Sequence, residues 1–554
     1  MKRQKKRIFY LILGFLLLNI IASQFFYRLD FTKDQRYSLS ETSIKLVSEI
    51  KKPITIEIFL AGDLATEFKQ LQSETRYLFE EYQAYNSLIT FKFTNPLDTK
   101  KQAEDVASEF YQRGMTPERL NQIQNGKTIE NWIFPWAEIS INKDKMQVPL
   151  LQKKLGASTD ELVALSIQNL EYQITNAFVK LTQQKDKKIA VLRDKGQLQD
   201  AYLADYIKSL GNYYRIAPFT LKTVATEPKK TLEQLQQFDL IIDAKPTEKF
   251  SEAEKYTLDQ FIMKGGKAIW LTEQVVAEKD SLMQSGSMVA FPKELNTYDL
   301  FFTYGVRINP TLINDLYSAP IVLAQGKGNQ TQFNPFPWFY EPLADAASQH
   351  PIVANINAVH FNFANPIEFL NREDIQQTAL LKSSNLTKLE GAPREIKLTQ
   401  IQDNVQPENY QAGPQILAGL VEGEFTSLYN KRVLPFENQK HINKSKFTQQ
   451  IFISDGDVIK NEIRKGNVQD LGFDQYTGNI YGNKDFLMNA ANYLLGDEAL
   501  VNLRTKSIQL AKLDIDKVEA NENTWKIILF LSGILCMAAV SIFFNFNRKR
   551  KYLK

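Results

Sequence analysis

The apolar positions of this chain fall into two long uncharged runs with shorter periodic segments between them. Residues 8–27 read IFYLILGFLLLNIIASQFFY, and residues 527–547 read IILFLSGILCMAAVSIFFNFN. A helix rises 1.5 Å per residue, so about 20 residues cover the roughly 30 Å of a bilayer's hydrocarbon core. No apolar run between them reaches about 12 residues, and the pattern predicts two membrane spans and no more.

The first periodic segments predict an α/β domain. Ser40-Glu41-Thr42-Ser43 reads as a helix start, followed by Ile44, Val47 and Ile50 on one face. PITIEIFL, from Pro53, alternates like a strand. Leu64, Phe68, Leu71, Thr75, Leu78, Tyr82 and Tyr85 recur at steps of four and three, one face of a long helix. LITFKFTN, from Leu88, is the returning strand, and WIFPWAEISI, from Trp132, predicts another. Ser158 and Glu161 form a capping box. The helix it opens carries Leu162, Leu165, Ile174, Phe178 and Leu181 on one face. QQKDKK at 183–188 is the expected domain boundary.

Beyond it, strands and helices alternate. KIAVL (188–192), FDLIID (238–243) and KAIWLT (267–272) read as strands. Leu203, Tyr206, Ile207 and Leu210 mark a helix that ends at Gly211 as a C′ glycine. Ser251 and Glu254 cap a second helix, with Leu258, Phe261 and Ile262 inward and a stop at Gly265-Gly266. Such alternation implies a parallel sheet with helices on both faces. Residues 280–450 are rich in Pro and Asn and give no clear pattern. IFISDGDVI (451–459) is a strand running into an acidic turn, and Phe486, Leu487, Ala490, Tyr493 and Leu494 mark a last helix, stopped near Gly496.

Orientation comes from the flanking cations, which stay cytoplasmic. Lys2, Arg3, Lys5, Lys6 and Arg7 precede the first run; Arg548, Lys549, Arg550, Lys551 and Lys554 follow the second. Both termini are expected in the cytoplasm, with the body outside the inner membrane, in the periplasm. Ile20-Ile21-Ala22 before Ser23 also admits a cleaved signal peptide in place of the first span. The expected fold class is α/β, with two or more extracytoplasmic α/β domains between an N-terminal and a C-terminal transmembrane helix. The expected boundaries are 1–30 for the basic tail and first span and 31–185 for the N-terminal domain. They continue with 186–505 for the second domain and its irregular insertions, 506–525 for a linker, 526–547 for the second span and 548–554 for the basic tail.

Charge sharpens this division. The chain has 67 Lys+Arg and 63 Asp+Glu, net +4. Ten of the cations lie in the two tails, which leaves 57 basic and 63 acidic groups in residues 28–526, net −6. An acidic body argues against nucleic-acid binding. The basic tails suit topology and anionic membrane lipid. The only cysteine, Cys536, lies in the second apolar run, so the body has no disulfide and no thiolate site. His350, His360 and His441 are widely spaced.

Candidate chemistry is sparse. Lys264-Gly265-Gly266-Lys267 lacks the spacing and the Ser/Thr of a nucleotide-binding loop. Asp455-Gly456-Asp457 closes a predicted strand, where two carboxylates serve a turn or weakly suggest a metal site. Asp243 ends another strand and would add a third carboxylate if the two strands share a sheet. Phe336, Trp338, Phe339 and Tyr340 read as core residues or as an apolar patch.

Four stretches carry a resemblance. They are RYSLSETSIKLVSEIKKPITIEIFL (36–60), FDLIIDAKPTEKFSEAEKYTLDQFIMKGGKAIWLTE (238–273), VEGEFTSLYNKR (421–432), and ISDGDVIKNEI (453–463) followed by LGFDQYTGNIYGNKDFLMNAANYLLGD (471–497). Together they resemble the GldG family, gliding-motility-associated ABC transporter substrate-binding proteins of Bacteroidetes-type bacteria. The resemblance implies a non-catalytic accessory subunit working with a separate ABC ATPase subunit and ABC permease subunit, and with envelope motility components. It implies that the second domain is glutamine-amidotransferase-like, with a doubly wound sheet. The catalytic cysteine that fold often carries is missing here. The resemblance calls for no cofactor. It points to Asp455, Gly456, Asp457, Asn461, Asn483, Asn489 and Arg504 as family-motif or interface positions. Two other readings stand beside it: a structural scaffold between inner membrane and envelope, and a membrane-tethered hydrolase using Asp243, Asp455 and Asp457.

Overall fold

The computed structural model describes residues 38–496, apart from 125–126, 143, 153, 155, 183–184 and 327–331, and residues 522–552. The first apolar run, the N-terminal cations and Arg504 lie outside the described residues. The chain divides into two compact units, Met1–Ser507 and Ile508–Lys554.

In the larger unit the N-terminal segments build a four-stranded sheet. Helix α1 (Glu41–Ser48) leads into β1 (Ile54–Ile58), α2 (Thr66–Tyr85), β2 (Ile89–Phe93), β3 (Trp136–Ile141), β4 (Asp144–Pro149) and α3 (Thr159–Thr182). The sheet order is β2-β1-β3-β4, with β2 parallel to β1 and the other pairs antiparallel. Pro135, with no N–H to donate, splits the apolar run from Trp132 into two strands, so β3 starts only at Trp136. Helix α2 buries Phe68, Leu71, Thr75, Phe79 and Tyr82, while Tyr85 is 45% exposed and leaves the predicted face. The apolar face of α3 runs through Val163, Ile167, Leu170, Ile174 and Phe178, so Leu162 and Leu165 sit at its margin. The Tyr82 hydroxyl and Thr175 Oγ1 are 2.6 Å apart, and Ser43 Oγ lies 2.9 Å from Thr175, which ties α1, α2 and α3 together.

The second sheet has eleven strands. Its parallel part comprises β5 (Lys188–Arg193), β6 (Arg215–Thr220), β7 (Leu240–Ala244), β8 (Lys267–Leu271) and, much later in the chain, a strand at Thr448–Ile453. Between them run α4 (Asp200–Leu210), α5 (Pro228–Leu235) and α6 (Glu252–Met263). A short helix, α7 (Lys279–Ser285), follows β8. The stretch that gave no sequence pattern supplies the antiparallel strands β9 (Leu343–Ala346), β10 (Val359–His360), β11 (Ile375–Lys382) and β12 (Ile416–Gly423). With Thr448–Ile453 as β13, the main path runs β10-β9-β11-β12-β13-β8-β7-β5-β6. Strands β6, β5, β7, β8 and β13 are mutually parallel. From β13 onward each pair is antiparallel. Strand β6 is the free margin at the parallel end, and it contains Pro218.

Both faces of the parallel part are covered. Ile189, Val191, Ile242, Ile269 and Ile451 pack on one face with Leu203 and Tyr206 of α4 and Phe486, Leu487 and Ala490 of α8 (Asn483–Leu494). Ala190, Ile241, Trp270 and Phe452 pack on the other with Leu235 of α5 and Leu258, Phe261 and Ile262 of α6. The sheet is therefore doubly wound. Truncating such a buried Ile or Leu to Ala costs about 2–5 kcal/mol. The α6 capping box forms between Ser251 and Glu254. Gly211 has φ −60°, so it closes α4 in the right-handed region instead of serving as the left-handed C′ residue expected. Trp338 and Tyr340 are buried in a separate apolar cluster, as core residues.

The smaller unit is built around one described helix, α9 (Glu522–Tyr552). Residues Thr524–Arg548 are long and apolar enough to cross a membrane, and none of that stretch is buried by protein. Arg548, Lys549, Arg550 and Lys551 lie in its last turns.

Candidate functional site

An open parallel sheet presents the carboxyl ends of its strands along one edge, and ligands commonly bind there, where the strand order reverses. In this sheet the reversal falls between β5 and β7. That crevice is filled by the chain itself. Thr247 and Glu248 donate their N–H groups to Lys195 O at 2.8 and 3.0 Å, and Leu198 N donates to Ala244 O at 3.1 Å. Gly196, at φ +69°, passes so close that a Cβ would lie 1.8 Å from Thr247 Oγ1. Asp243, at the end of β7, accepts from Gln197 Nε2 at 3.0 Å. Burial pushes its carboxyl up to about 7.

The charged groups gather one step along the edge, over β8 and β13. Lys245 has φ +58°. Its Nζ lies 2.8 Å from Asp457 Oδ2 and 3.0 Å from Glu278. Burial opposes that charge, but Asp457, Glu273 and Glu278 outweigh it and hold the ammonium above its usual range. Glu273, just past β8, bonds to Lys293 and accepts from Gly456 N at 2.9 Å. Gly456 is required by close approach, since a Cβ would sit 2.4 Å from Lys245 Cβ.

Asp455 closes the turn after β13. It is 1% exposed, and its two oxygens accept from Asp457 N at 2.7 Å and Asn362 N at 2.6 Å. Burial, then the charges of Asp457 and Glu273, push its carboxyl well above the ordinary range. The structure thus brings Asp455 and Asp457 together but keeps Asp243 apart, because β8 intervenes between β7 and β13. Among the described residues no group of three His, Cys, Asp or Glu side chains could hold a metal ion.

Beside this network lies a cavity of about 500 Å3, with Asp457, Asn461 and Asn483 in its wall. The two asparagines hold loops in place. Asn461 Oδ1 accepts from Asp205 N at 3.2 Å and its Nδ2 donates to Ala201 O at 3.0 Å. Asn483 exchanges two bonds with the His360 backbone, at 2.8 and 2.9 Å. Asn489 donates to Ile352 O at 2.9 Å inside the core and does not reach the cavity.

Most of the cavity wall escaped sequence reading, including a charged group of Lys279, Glu341 and His360. Glu341 is buried between Lys279 Nζ at 2.7 Å and His360 Nε2 at 2.9 Å. Burial alone would raise its carboxyl, and these two neighbours hold it below the ordinary value. No spacing along the chain signals this group, because it is assembled by the packing of α7, β10 and the loop before β9.

Residues 186–490 match the auxiliary family described as an ABC-type uncharacterized transport system. The chain belongs to that family. Its matched segment spans the doubly wound sheet, the charged network and the cavity. An accessory role in an ABC transport system follows for the chain. Residues 33–140 match a domain of unknown function, DUF7088. An uncharacterized protein of Borreliella burgdorferi is 20% identical over 535 residues, covering 95% of this chain and 94% of that one. Among solved structures, the mmIFT52 N-terminal domain gives a TM-score of 0.31 at 13% identity, over 56% of this chain and 98% of that one. A thua-like protein from Parabacteroides merdae gives 0.29 at 9% identity, over 57% and 91%.

Proposed function

We propose that the chain is a non-catalytic extracytoplasmic subunit of an ABC complex, of the GldG type that supports gliding, anchored at both ends with both termini in the cytoplasm. The observation that carries this reading is the family match over residues 186–490 in a chain with an unburied apolar helix of membrane-spanning length. A separate ATPase subunit would supply hydrolysis, since the sequence contains no GxxxxGK[ST] loop. A separate permease would receive the spans. Residues 31–185 and 186–505 would be the two periplasmic domains, the second amidotransferase-like. The doubly wound arrangement of β5–β8 and β13 supports that last assignment.

Copurification from native membranes in mild detergent tests the proposal. Recovery with an ABC ATPase and a multi-span permease is the expected result. Recovery of the chain without either would overturn it.

A further inference from the structure

We infer that the cavity beside Asp457 binds a small organic cation, an amine or guanidinium carried on a polar body. Its volume of about 500 Å3 is in the usual range for small-molecule sites. The inference goes beyond the transport-system reading and does not depend on the partners proposed above.

The wall is acidic beyond what its own cations balance. Lys279 is paired with Glu341, and Lys460 faces Asp280 at 3.8 Å. Asp457 is met by Lys245 from behind. Glu462 and Asp474 remain, both in the wall; among the described residues neither forms an ion pair, and Lys279 and His360 offset the Glu462 charge only from a distance. Burial, and then the charge of Asp474, raise the Glu462 carboxyl. The negative balance disfavours an anionic ligand.

Unmet hydrogen bonding indicates the same chemistry. Asp457 has a side chain only 10% exposed; its Oδ2 takes Lys245, and its Oδ1 is buried without a donor. Glu462 Oε2 and Asn362 Oδ1 are likewise buried without partners. All three belong to cavity-lining residues and all three are acceptors; of the buried unpartnered atoms in this wall only Tyr481 Oη can also donate. A ligand that satisfies them must bring N–H or O–H donors, and a charged donor gains most beside carboxylates. Tyr476 and Phe473 add aromatic side chains to the same wall, and aromatic rings attract cations.

Titration calorimetry on the full chain in detergent tests this with spermidine, agmatine and glucosamine as cationic probes. Glucose serves as the neutral counterpart and glutamate as the anion. Saturable binding of at least one cation, with glucose and glutamate about tenfold weaker or more, is expected. Glu462→Gln should weaken that binding about tenfold or more. Tyr476→Ala changes a side chain that is 55% exposed, and it provides a second test should the Glu462 variant not fold. No saturable binding of any of the three cations at about 1 mM would overturn the inference. So would equal binding of glucose, or full affinity in folded Glu462→Gln and Tyr476→Ala variants. Loss of the transport partners in copurification would leave these readouts unchanged.

Discussion

Lys245 Nζ lies 2.8 Å from Asp457 Oδ2, an ion pair that bridges the carboxyl ends of β7 and β13 over the intervening β8. The lysine side chain is 6% exposed and the aspartate 10%. A pair buried this deeply contributes little net Coulomb energy over its desolvation, yet removing one member is expensive.

Lys245→Met therefore strands the buried Asp457 without its cation, while Glu273 keeps Lys293. The expected loss is about 3–5 kcal/mol of unfolding free energy, read by denaturant titration of the detergent-purified chain. A loss below about 1 kcal/mol would show that the bridge is not structural.

Gly456→Ala places a methyl 2.4 Å from Lys245 Cβ and 2.7 Å from its Cα, so one of the two segments must shift. Overpacking of this kind costs about 1–3 kcal/mol. Thermal unfolding should show a drop, while Gly466→Ala, which meets nothing within 4 Å but has φ +80°, isolates the cost of backbone strain alone.

Asp243 gives a pH signature. Burial holds its carboxyl up to about 7 in the folded chain, above its ordinary value of 3.8. Between those values the folded state keeps a proton that the unfolded state has released, so stability falls as pH rises through this window and is level above it. The term is worth at most about 4 kcal/mol. Asp243→Asn should flatten the pH 4–7 limb of the stability profile. An unchanged slope would remove Asp243 from the account.

Topology is testable at Val433, which is 92% exposed on the body. With Cys536, the chain's only cysteine, replaced by Ser, Val433→Cys supplies a single thiol. It should react with a membrane-impermeant maleimide in cells whose outer membrane has been opened. Protection until the inner membrane is lysed would reverse the proposed orientation.

Some of this architecture is readable in the chain and some is not, for physical reasons. Strands β5 and β7 announce themselves because each runs into a helix with legible apolar spacing, α4 and α6, and β8 because it follows the Gly265-Gly266 stop of α6; Ser251 with Glu254 marks where α6 begins. Strand β12 is buried almost end to end, so ILAGLVEG shows no alternation. Strands β9 and β10 have four and two residues, too short for any period. Tyr85 misled because a regular step of three or four continued past the point where α2 is covered. At the site, Asp455 and Asp457 stand out as a strand end. Lys279, Glu341 and His360 are 62 and 19 residues apart and meet only because α7, a loop and β10 converge.

The margin of the large sheet has one more consequence. Molecules held to a membrane meet by sliding in two dimensions, at local concentrations far above those in bulk, and an open strand invites one sheet to zip onto another. Pro218 stands in the middle of β6, paired in register with Val191 on its inner side. A proline tolerated there turns its missing donor outward. The rim thus denies an arriving strand part of its ladder.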